Sequence, residues 1–109
     1  MILDFNKIEL TKMPNFKGGE GYIEANMFFD GLNRIFVARI KKGSSIGYHL
    51  HETSSEIMYV LEGVATLNYN GEHLEFKKGE CHYCKKGNMH SVSNEHEEDL
   101  VMFCVVPEQ

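Results

Sequence analysis

The chain has 109 residues, of which 42% are hydrophobic and 25% charged, and its formal net charge is -5. This length allows one domain and is too short for two ordinary ones, and the negative charge, with no basic cluster larger than a pair, argues against nucleic-acid binding. No stretch approaches the roughly 18 apolar residues of a membrane span, MILDFNKIEL does not resemble a signal peptide, and an odd number of cysteines indicates a reducing compartment. We therefore expect a cytoplasmic protein.

Strand signals separated by glycine-containing turns recur along the whole chain, whereas helical periodicity is hard to find. The first hairpin is predicted at Asp30-Gly31, between the segments YIEANMFF and LNRIFVARI. A turn at KKGSS then leads into a strand that contains HLH, and the apolar run EIMYVLEG forms the strand after it.

The clearest hairpin lies in VATLNYNGEHLEF, where Asn70-Gly71 has the composition of a two-residue type I′ turn. This turn places three pairs opposite each other on a mostly apolar face: Tyr69 with Glu72, Leu67 with Leu74, and Ala65 with Phe76. The opposite, polar face carries Thr66, Asn68, His73 and Glu75. His73 is therefore predicted to point to solvent. Turns at KKGE and KKGN and a last strand in DLVMFCVV complete a succession of short strands that predicts an all-β sandwich or barrel.

The stretch GYHLHETSSE has two histidines two residues apart and a glutamate five residues after the second. On a helix, positions i and i+2 point to nearly opposite sides, but on a strand they share a face. A strand therefore presents His49 and His51 side by side, and Glu56 on the next strand can converge on the same point. This arrangement predicts a metal site.

Two longer patterns include this stretch and a later one. Residues 43–63 fit the pattern G(X)5HXH(X)3–4E(X)6G at every fixed position, which are Gly43, His49, His51, Glu56 and Gly63. Residues 79–94 fit G(X)5PXG(X)2H(X)3N through Gly79, Gly87, His90 and Asn94, with Lys85 in place of the proline. In both patterns the chain resembles the cupin superfamily, of which these are the two motifs. The departure at Lys85 loosens one turn, since proline fixes φ there, but removes no ligand.

The resemblance implies a single cupin domain over residues 1–109, folded as a double-stranded β-helix or jelly-roll barrel. It also implies one divalent transition metal held by His49, His51, Glu56 and His90. Three neutral imidazoles and a carboxylate suit Mn, Fe, Co, Ni or Zn, and do not suit calcium. Two octahedral positions would stay open, and a site charge of about +1 favours an anionic oxygen donor.

The favoured function is a metal-dependent enzyme that acts on a small oxygen-chelating metabolite, such as a dioxygenase, isomerase or lyase. The superfamily does not by itself fix the reaction. Glu56 argues against its thiol dioxygenases, which typically use three histidines alone, and its oxalate decarboxylases are usually two-domain proteins. The alternative is a non-catalytic module that binds or senses a small ligand. Resemblance also implies a homodimer, with ILDFNKIEL as a plausible pairing strand.

The remaining histidines and the cysteines fit no ligand position of the motifs. His82 and His96 are therefore left outside the site. Cys81 and Cys84 have the C-x-x-C spacing of zinc and thiol redox sites, but the chain offers neither a second ligand pair nor a βαβ context. Plain packing is favoured for this pair, and Cys104 is expected to be a buried small hydrophobe.

Strand alternation also predicts which residues surround the metal. It places Gly47 on the face of His49, and Met58 and Val60 on the face of Glu56. Further candidates for the lining, for each of which core packing is favoured, are Phe28, Met89, Met102 and Phe103.

Polar groups that could act on a ligand are harder to identify from sequence. Arg39 could reach an anion, although a solvated charge on a strand is favoured. Tyr48, Tyr59 and Tyr83 are candidates for a general acid or base, but alternation places Tyr48 and Tyr59 on faces opposite the ligands.

Overall fold

The computed structural model describes residues 1–109 and consists of ten β-strands with two short 3-10 turns, at Phe5–Lys7 and Phe16–Gly18. The strands are β1 (Leu10–Pro14), β2 (Tyr22–Phe29), β3 (Asn33–Ile40), β4 (Ser45–Leu50), β5 (Glu56–Glu62), β6 (Val64–Tyr69), β7 (Glu72–Lys77), β8 (Cys81–Cys84), β9 (Met89–Ser93) and β10 (Leu100–Pro107). No helix here is long and apolar enough to cross a membrane.

The strands form two antiparallel sheets. The larger sheet has the order β1-β2-β3-β10-β5-β8, and the smaller has the order β4-β9-β6-β7. One core of 15 buried residues lies between them, with Met58 and Met102 from the larger sheet packed among Leu67 and Val92 from the smaller. The expected all-β jelly-roll architecture is confirmed.

Both predicted hairpins are present. In the hairpin of β6 and β7, Tyr69 pairs with Glu72 and Leu67 with Leu74, as the type I′ turn predicted, and His73 is exposed. In the hairpin of β2 and β3, the Asp30 carboxylate accepts the backbone N–H groups of Leu32 (3.0 Å) and Asn33 (2.7 Å). Such local hydrogen bonds explain why aspartate begins this turn.

Motif residues that cannot bind a metal hold the ends of strands together. Gly63 has φ +86°, and a Cβ there would lie 2.6 Å from the carbonyl oxygen of Asp99, so only glycine fits. Asn94 is fully buried, and its side-chain amide donates to the carbonyl oxygens of Ile40 (2.9 Å) and Glu98 (2.8 Å). The second motif therefore ties the end of β3 to the loop before β10.

The N-terminal segment differs from the prediction. Residues 2–9 form no strand. Within them the Asp4 carboxylate accepts the N–H of Asn6 at 3.0 Å and caps a 3-10 turn at Phe5–Lys7. The strand begins only at Leu10 and pairs with β2 of the same chain. The interpretation of ILDFNKIEL as one continuous strand is therefore wrong for most of its length.

Candidate metal site

The structure brings the four predicted ligand residues together between the two sheets. His49 lies on β4 directly opposite His90 on β9, within the smaller sheet. His51 follows the last residue of β4, and Glu56 is the first residue of β5 in the larger sheet. His51, Glu56 and His90 are buried and His49 is half-buried. The loop from His51 to Glu56 therefore carries the site from one sheet to the other.

The ligand atoms of these residues converge on one point. His51 Nε2 lies 3.1 Å from His49 Nε2 and 2.9 Å from His90 Nε2, and Glu56 Oε1 lies 3.1 Å and 3.0 Å from the Nε2 atoms of His51 and His90. All four atoms lie within 4.8 Å of one another. Neighbouring ligands of an octahedral ion with bonds of about 2.1 Å are about 3.0 Å apart. The spacing of the four atoms therefore fits a transition-metal ion.

Each imidazole is held from its far side, so that Nε2 faces the centre. His49 Nδ1 lies 2.7 Å from the carbonyl oxygen of Gly47, and His51 Nδ1 lies 3.0 Å from the Ser54 hydroxyl. When Nε2 binds a metal, the proton of a neutral imidazole is on Nδ1, which then donates to these oxygens. Such partners fix the ring orientation before the metal binds.

The third imidazole depends on His82, which sequence reasoning left outside the site. His82 is buried on β8, and its Nε2 lies 3.0 Å from His90 Nδ1. Burial lowers the pKa of His82 to about 4, so the ring is neutral at pH 7 and its Nε2 can accept the proton of His90 Nδ1. His82 occupies no ligand position in the cupin motifs, and only the pairing of β8 with β5 brings it here.

The charges of the cluster favour a cation. Burial alone would raise the pKa of Glu56, but its contacts with His51 and His90 outweigh burial and lower that pKa to about 2. Burial, with the neighbouring imidazoles, lowers the pKa of His49. At neutral pH Glu56 is therefore ionised and the His49 imidazole is unprotonated, and these are the states in which the two groups bind a divalent metal.

A second group of possible ligands shares His90. His82, Cys84 and His90 also have ligand atoms within 4.8 Å of one another. Burial, followed by the charge of Glu56, raises the pKa of the Cys84 thiol to about 11, so the thiol is protonated at neutral pH. A protonated thiol is a poor ligand, and this group is the weaker candidate for the metal.

The C-x-x-C pair does not form a unit. Cys81 is exposed and Cys84 is buried, because residues three apart on a strand face opposite sides of the sheet. Cys104 is buried in the core, as expected. All three cysteines are free.

A β-bulge in β4 changes the predicted surroundings of the metal. The pairing with β9 passes from Ile46 opposite Val92 to His49 opposite His90, so β4 has one extra residue here. The bulge places Ile46 in the cavity beside His49, where alternation had placed Gly47. Gly47 instead packs on the backbone of the 3-10 turn, where a Cβ would lie 2.0 Å from the carbonyl oxygen of Lys17.

The cavity at the cluster has a volume of about 250 Å³. Six apolar side chains contribute to its wall: Phe16, Met27, Phe36, Ile46, Leu50 and Val106. Apart from Gly47, the sequence analysis suggested six apolar residues as lining, and none of those six lines the cavity. Met58, Val60 and Met102 are core residues, and Phe28, Met89 and Phe103 lie elsewhere. On β2 the residue that lines the cavity is Met27, which precedes Phe28.

The polar wall also differs from expectation. Arg39 faces solvent and pairs with Asp99 at 3.4 Å, which agrees with the favoured interpretation of that residue, whereas Arg34 lines the cavity. His96 pairs with Glu75 at 2.9 Å on the surface, away from the cluster. Three tyrosines suggested as acid or base are between 41% and 50% exposed and lie outside the cavity: Tyr48, Tyr59 and Tyr83.

Fold and cluster together define a β-sandwich with a histidine and carboxylate site able to bind a metal ion between its sheets. The Cupin domain family model matches residues 36–106, and the chain belongs to the cupin family. An oxalate-binding protein from Thermotoga maritima is 31% identical over 113 aligned residues, which cover 97% of this chain and 93% of that protein.

Solved structures agree with this assignment. The crystal structure of a predicted oxalate decarboxylase from Thermotoga maritima superposes with a TM-score of 0.92 at 27% identity, and the match covers 100% of both chains. An RmlC-like cupin from Shewanella frigidimarina superposes with a TM-score of 0.81 at 14% identity, covering 99% of this chain and 90% of the other, which supports the fold alone.

We predict that His51→Ala and Glu56→Ala each lower metal occupancy well below one ion per chain, because each removes a ligand atom from the centre. Elemental analysis of protein purified without chelators or nickel resin measures this. His73→Ala, on the exposed face of β7, serves as the control and retains the wild-type metal content. Full stoichiometric metal in both ligand variants would show that these residues do not bind it.

We also predict that His82→Leu weakens metal binding about 10- to 100-fold, because His90 loses the acceptor that orients its ring. His82→Gln, which keeps an acceptor, should restore part of the affinity. Competition with a fluorescent chelator measures both. An unchanged affinity in the leucine variant would contradict this role for His82.

Proposed function

We propose that this cupin holds one divalent transition metal on His49, His51, Glu56 and His90 and binds on it a small chelating anion of the oxalate type. The observation that carries the proposal is the convergence of four ligand atoms, 2.9–3.1 Å between neighbours, on one wall of a cavity. The Thermotoga maritima relatives, one an oxalate-binding protein and the other a predicted oxalate decarboxylase, support the choice of ligand.

Charge and size support the same class of ligand. A divalent ion with one carboxylate and three neutral imidazoles keeps a charge of about +1, which attracts an anion. A cavity of about 250 Å³ is below the range of about 300–1,000 Å³ of ordinary ligand pockets, so it suits a molecule of a few heavy atoms. When bound, the metal would supply a Lewis acid to such a ligand.

Turnover of the same ligand is the second candidate and retains the enzyme favoured from sequence. Glu52 and Glu108 line the cavity without belonging to the ligand cluster. Loss of carbon dioxide from oxalate leaves formate and requires one proton at carbon. A carboxyl group on the cavity wall could deliver such a proton. The alternative without turnover is a binding or sensing role.

The test is calorimetry of oxalate with manganese-loaded protein. We expect one oxalate to bind per chain. Acetate should bind at least tenfold more weakly, because it does not chelate as oxalate does. The His49→Ala/His90→Ala variant should bind no oxalate. Oxalate binding that is unchanged in the metal-free protein would overturn the proposal. Formate in the same samples would identify an enzyme, and its absence under aerobic and anaerobic conditions would favour the binding role.

We further propose that the chain forms a homodimer. Four apolar side chains on the outer face of β5 and β8 are between 37% and 50% exposed, namely Ile57, Tyr59, Leu61 and Tyr83. Beside them, Phe5 of the N-terminal segment packs on Phe103 with ring centroids 6.1 Å apart. An apolar face of this kind supports an interface with a second copy.

For the dimer, light scattering after size exclusion should give twice the mass of the chain at micromolar concentration. Tyr59→Lys should shift the mass toward the monomer, because it places a charge in the apolar face, whereas Thr11→Lys on the exposed edge strand β1 should not. A monomer mass for the wild type would remove this proposal.

We also propose that residues 1–109 act as one cupin domain in the cytoplasm. A single core to which both sheets contribute supports one folding unit. Three free cysteines are consistent with a reducing compartment.

A further inference from the structure

Arg34 lines the same cavity as His49, His51 and Glu56. We propose that its guanidinium binds the outer oxygens of the metal-bound anion, so that the ligand is held at two points, by the metal and by Arg34. This inference rests on the proposed function. It adds a role for Arg34, which would select ligands that have acceptor oxygens on the side away from the metal.

Strand register places Arg34 at the level of the cluster. Arg34 on β3 pairs with Val106 on β10. On its other side β10 runs beside β5, where Val105 pairs with Ile57. Two residues further along β10, the carbonyl oxygen of Pro107 accepts the N–H of Ser55 at 3.2 Å. Val106, between these two contacts, therefore lies beside Glu56. Residues in one such row share a face, and two strand spacings separate the Cα atoms of Arg34 and Glu56 by about 10 Å. Arg34, Val106 and Glu56 therefore line the same wall of the cavity, with Val106 in the middle of the row.

The Arg34 side chain has no polar partner in the protein. Its Nε is buried and makes no hydrogen bond, and no carboxylate lies within ion-pairing distance of its guanidinium. Arg39, in contrast, pairs with Asp99 at 3.4 Å. The Nε is closed off from the cavity as well as from solvent, so a ligand in the cavity can reach only the terminal Nη groups of the guanidinium. These groups have no carboxylate partner in the protein, and a bound anion would supply one.

The guanidinium is also held in place by stacking on an aromatic ring. Its central carbon lies 4.4 Å from the centroid of the Phe29 ring, a cation-π distance. Phe29 is the cross-strand partner of Arg34 in the hairpin of β2 and β3. The stacked guanidinium keeps its N–H edge available, and that edge matches the paired oxygens of a carboxylate.

The other charges on the cavity wall do not offer the same contact. Lys17 has a single flexible ammonium group, which lies 5.6 Å from the Phe16 ring. Glu52 and Glu108 are exposed, and their side chains have no N–H group to donate to an anion. An anion that binds beside the metal therefore has Arg34 as its one planar, partly buried donor group. An oxalate that chelates a metal through one oxygen of each carboxylate keeps a second oxygen on each, and these two oxygens face away from the metal.

The test compares two chelators on manganese-loaded protein by calorimetry. Oxalate has outer oxygens for Arg34, whereas acetohydroxamate chelates through two oxygens and has a methyl group on its outer side. We expect Arg34→Met to weaken oxalate about 10- to 100-fold and to leave acetohydroxamate within twofold. Arg34→Lys should retain part of the oxalate affinity. Arg39→Met, which removes a guanidinium from the solvent face, is the matched control and should bind both ligands as the wild type does.

The possible outcomes separate the two levels of the proposal. Metal stoichiometry near one per chain in Arg34→Met or Arg34→Lys shows that the site has folded. Oxalate affinity within twofold of wild type in both variants overturns the role of Arg34 and leaves the proposed function standing. An equal loss for both chelators also overturns it, because it indicates a structural effect. Failure of the wild type to bind oxalate overturns both.

Discussion

The buried carboxylate of Glu56 is the group on which the rest of the site depends. An ionised side chain inside a protein is unfavourable unless opposite charge or hydrogen bonds compensate it. Contacts with His51 and His90 at 3.1 Å and 3.0 Å provide that compensation and lower the pKa of Glu56 to about 2. The Glu56 carboxylate is thus a fixed negative charge among imidazoles at the edge of an apolar core. A divalent cation bound there would neutralise this charge.

The sandwich supports this cluster through residues that touch no ligand atom. Asn94 ties the end of β3 to the loop before β10, and the bulge in β4 aims His49 into the cavity. At Lys85, where the cupin motif has proline, the backbone N–H donates to the Tyr69 hydroxyl at 3.4 Å, a contact that proline could not make. The departure from the motif therefore replaces a rigid turn with a hydrogen bond to a side chain of β6, which belongs to the other sheet.

Sequence predicted the features that depend on local spacing. The register of β6 with β7 follows from the Asn70-Gly71 turn, and the convergence of His49, His51 and Glu56 follows from side-chain alternation and motif spacing. In both cases the relevant residues are close in the chain. A two-residue repeat is then sufficient to place them.

The features that sequence missed depend on contacts between distant strands. The bulge puts Ile46 in the cavity in place of Gly47, and Gly47 packs on the 3-10 turn at Phe16–Gly18, a contact that alternation cannot anticipate. His82 reaches His90 only because β8 pairs with β5, and Arg34 reaches the cavity only through the register of β3, β10 and β5. The sequence signal for His82 is strand alternation in CHYC, which puts it on the same face as Cys84.

The central claim is that a metal binds to His49, His51, Glu56 and His90 and not to the neighbouring group of His82, Cys84 and His90. X-ray absorption spectroscopy of the manganese- or zinc-loaded protein tests it most directly, because it reports the elements and distances around the ion. We expect nitrogen and oxygen neighbours alone, at about 2.0–2.2 Å, with the signature of about three imidazoles. A sulfur neighbour at about 2.3 Å would place the ion on Cys84 and contradict it.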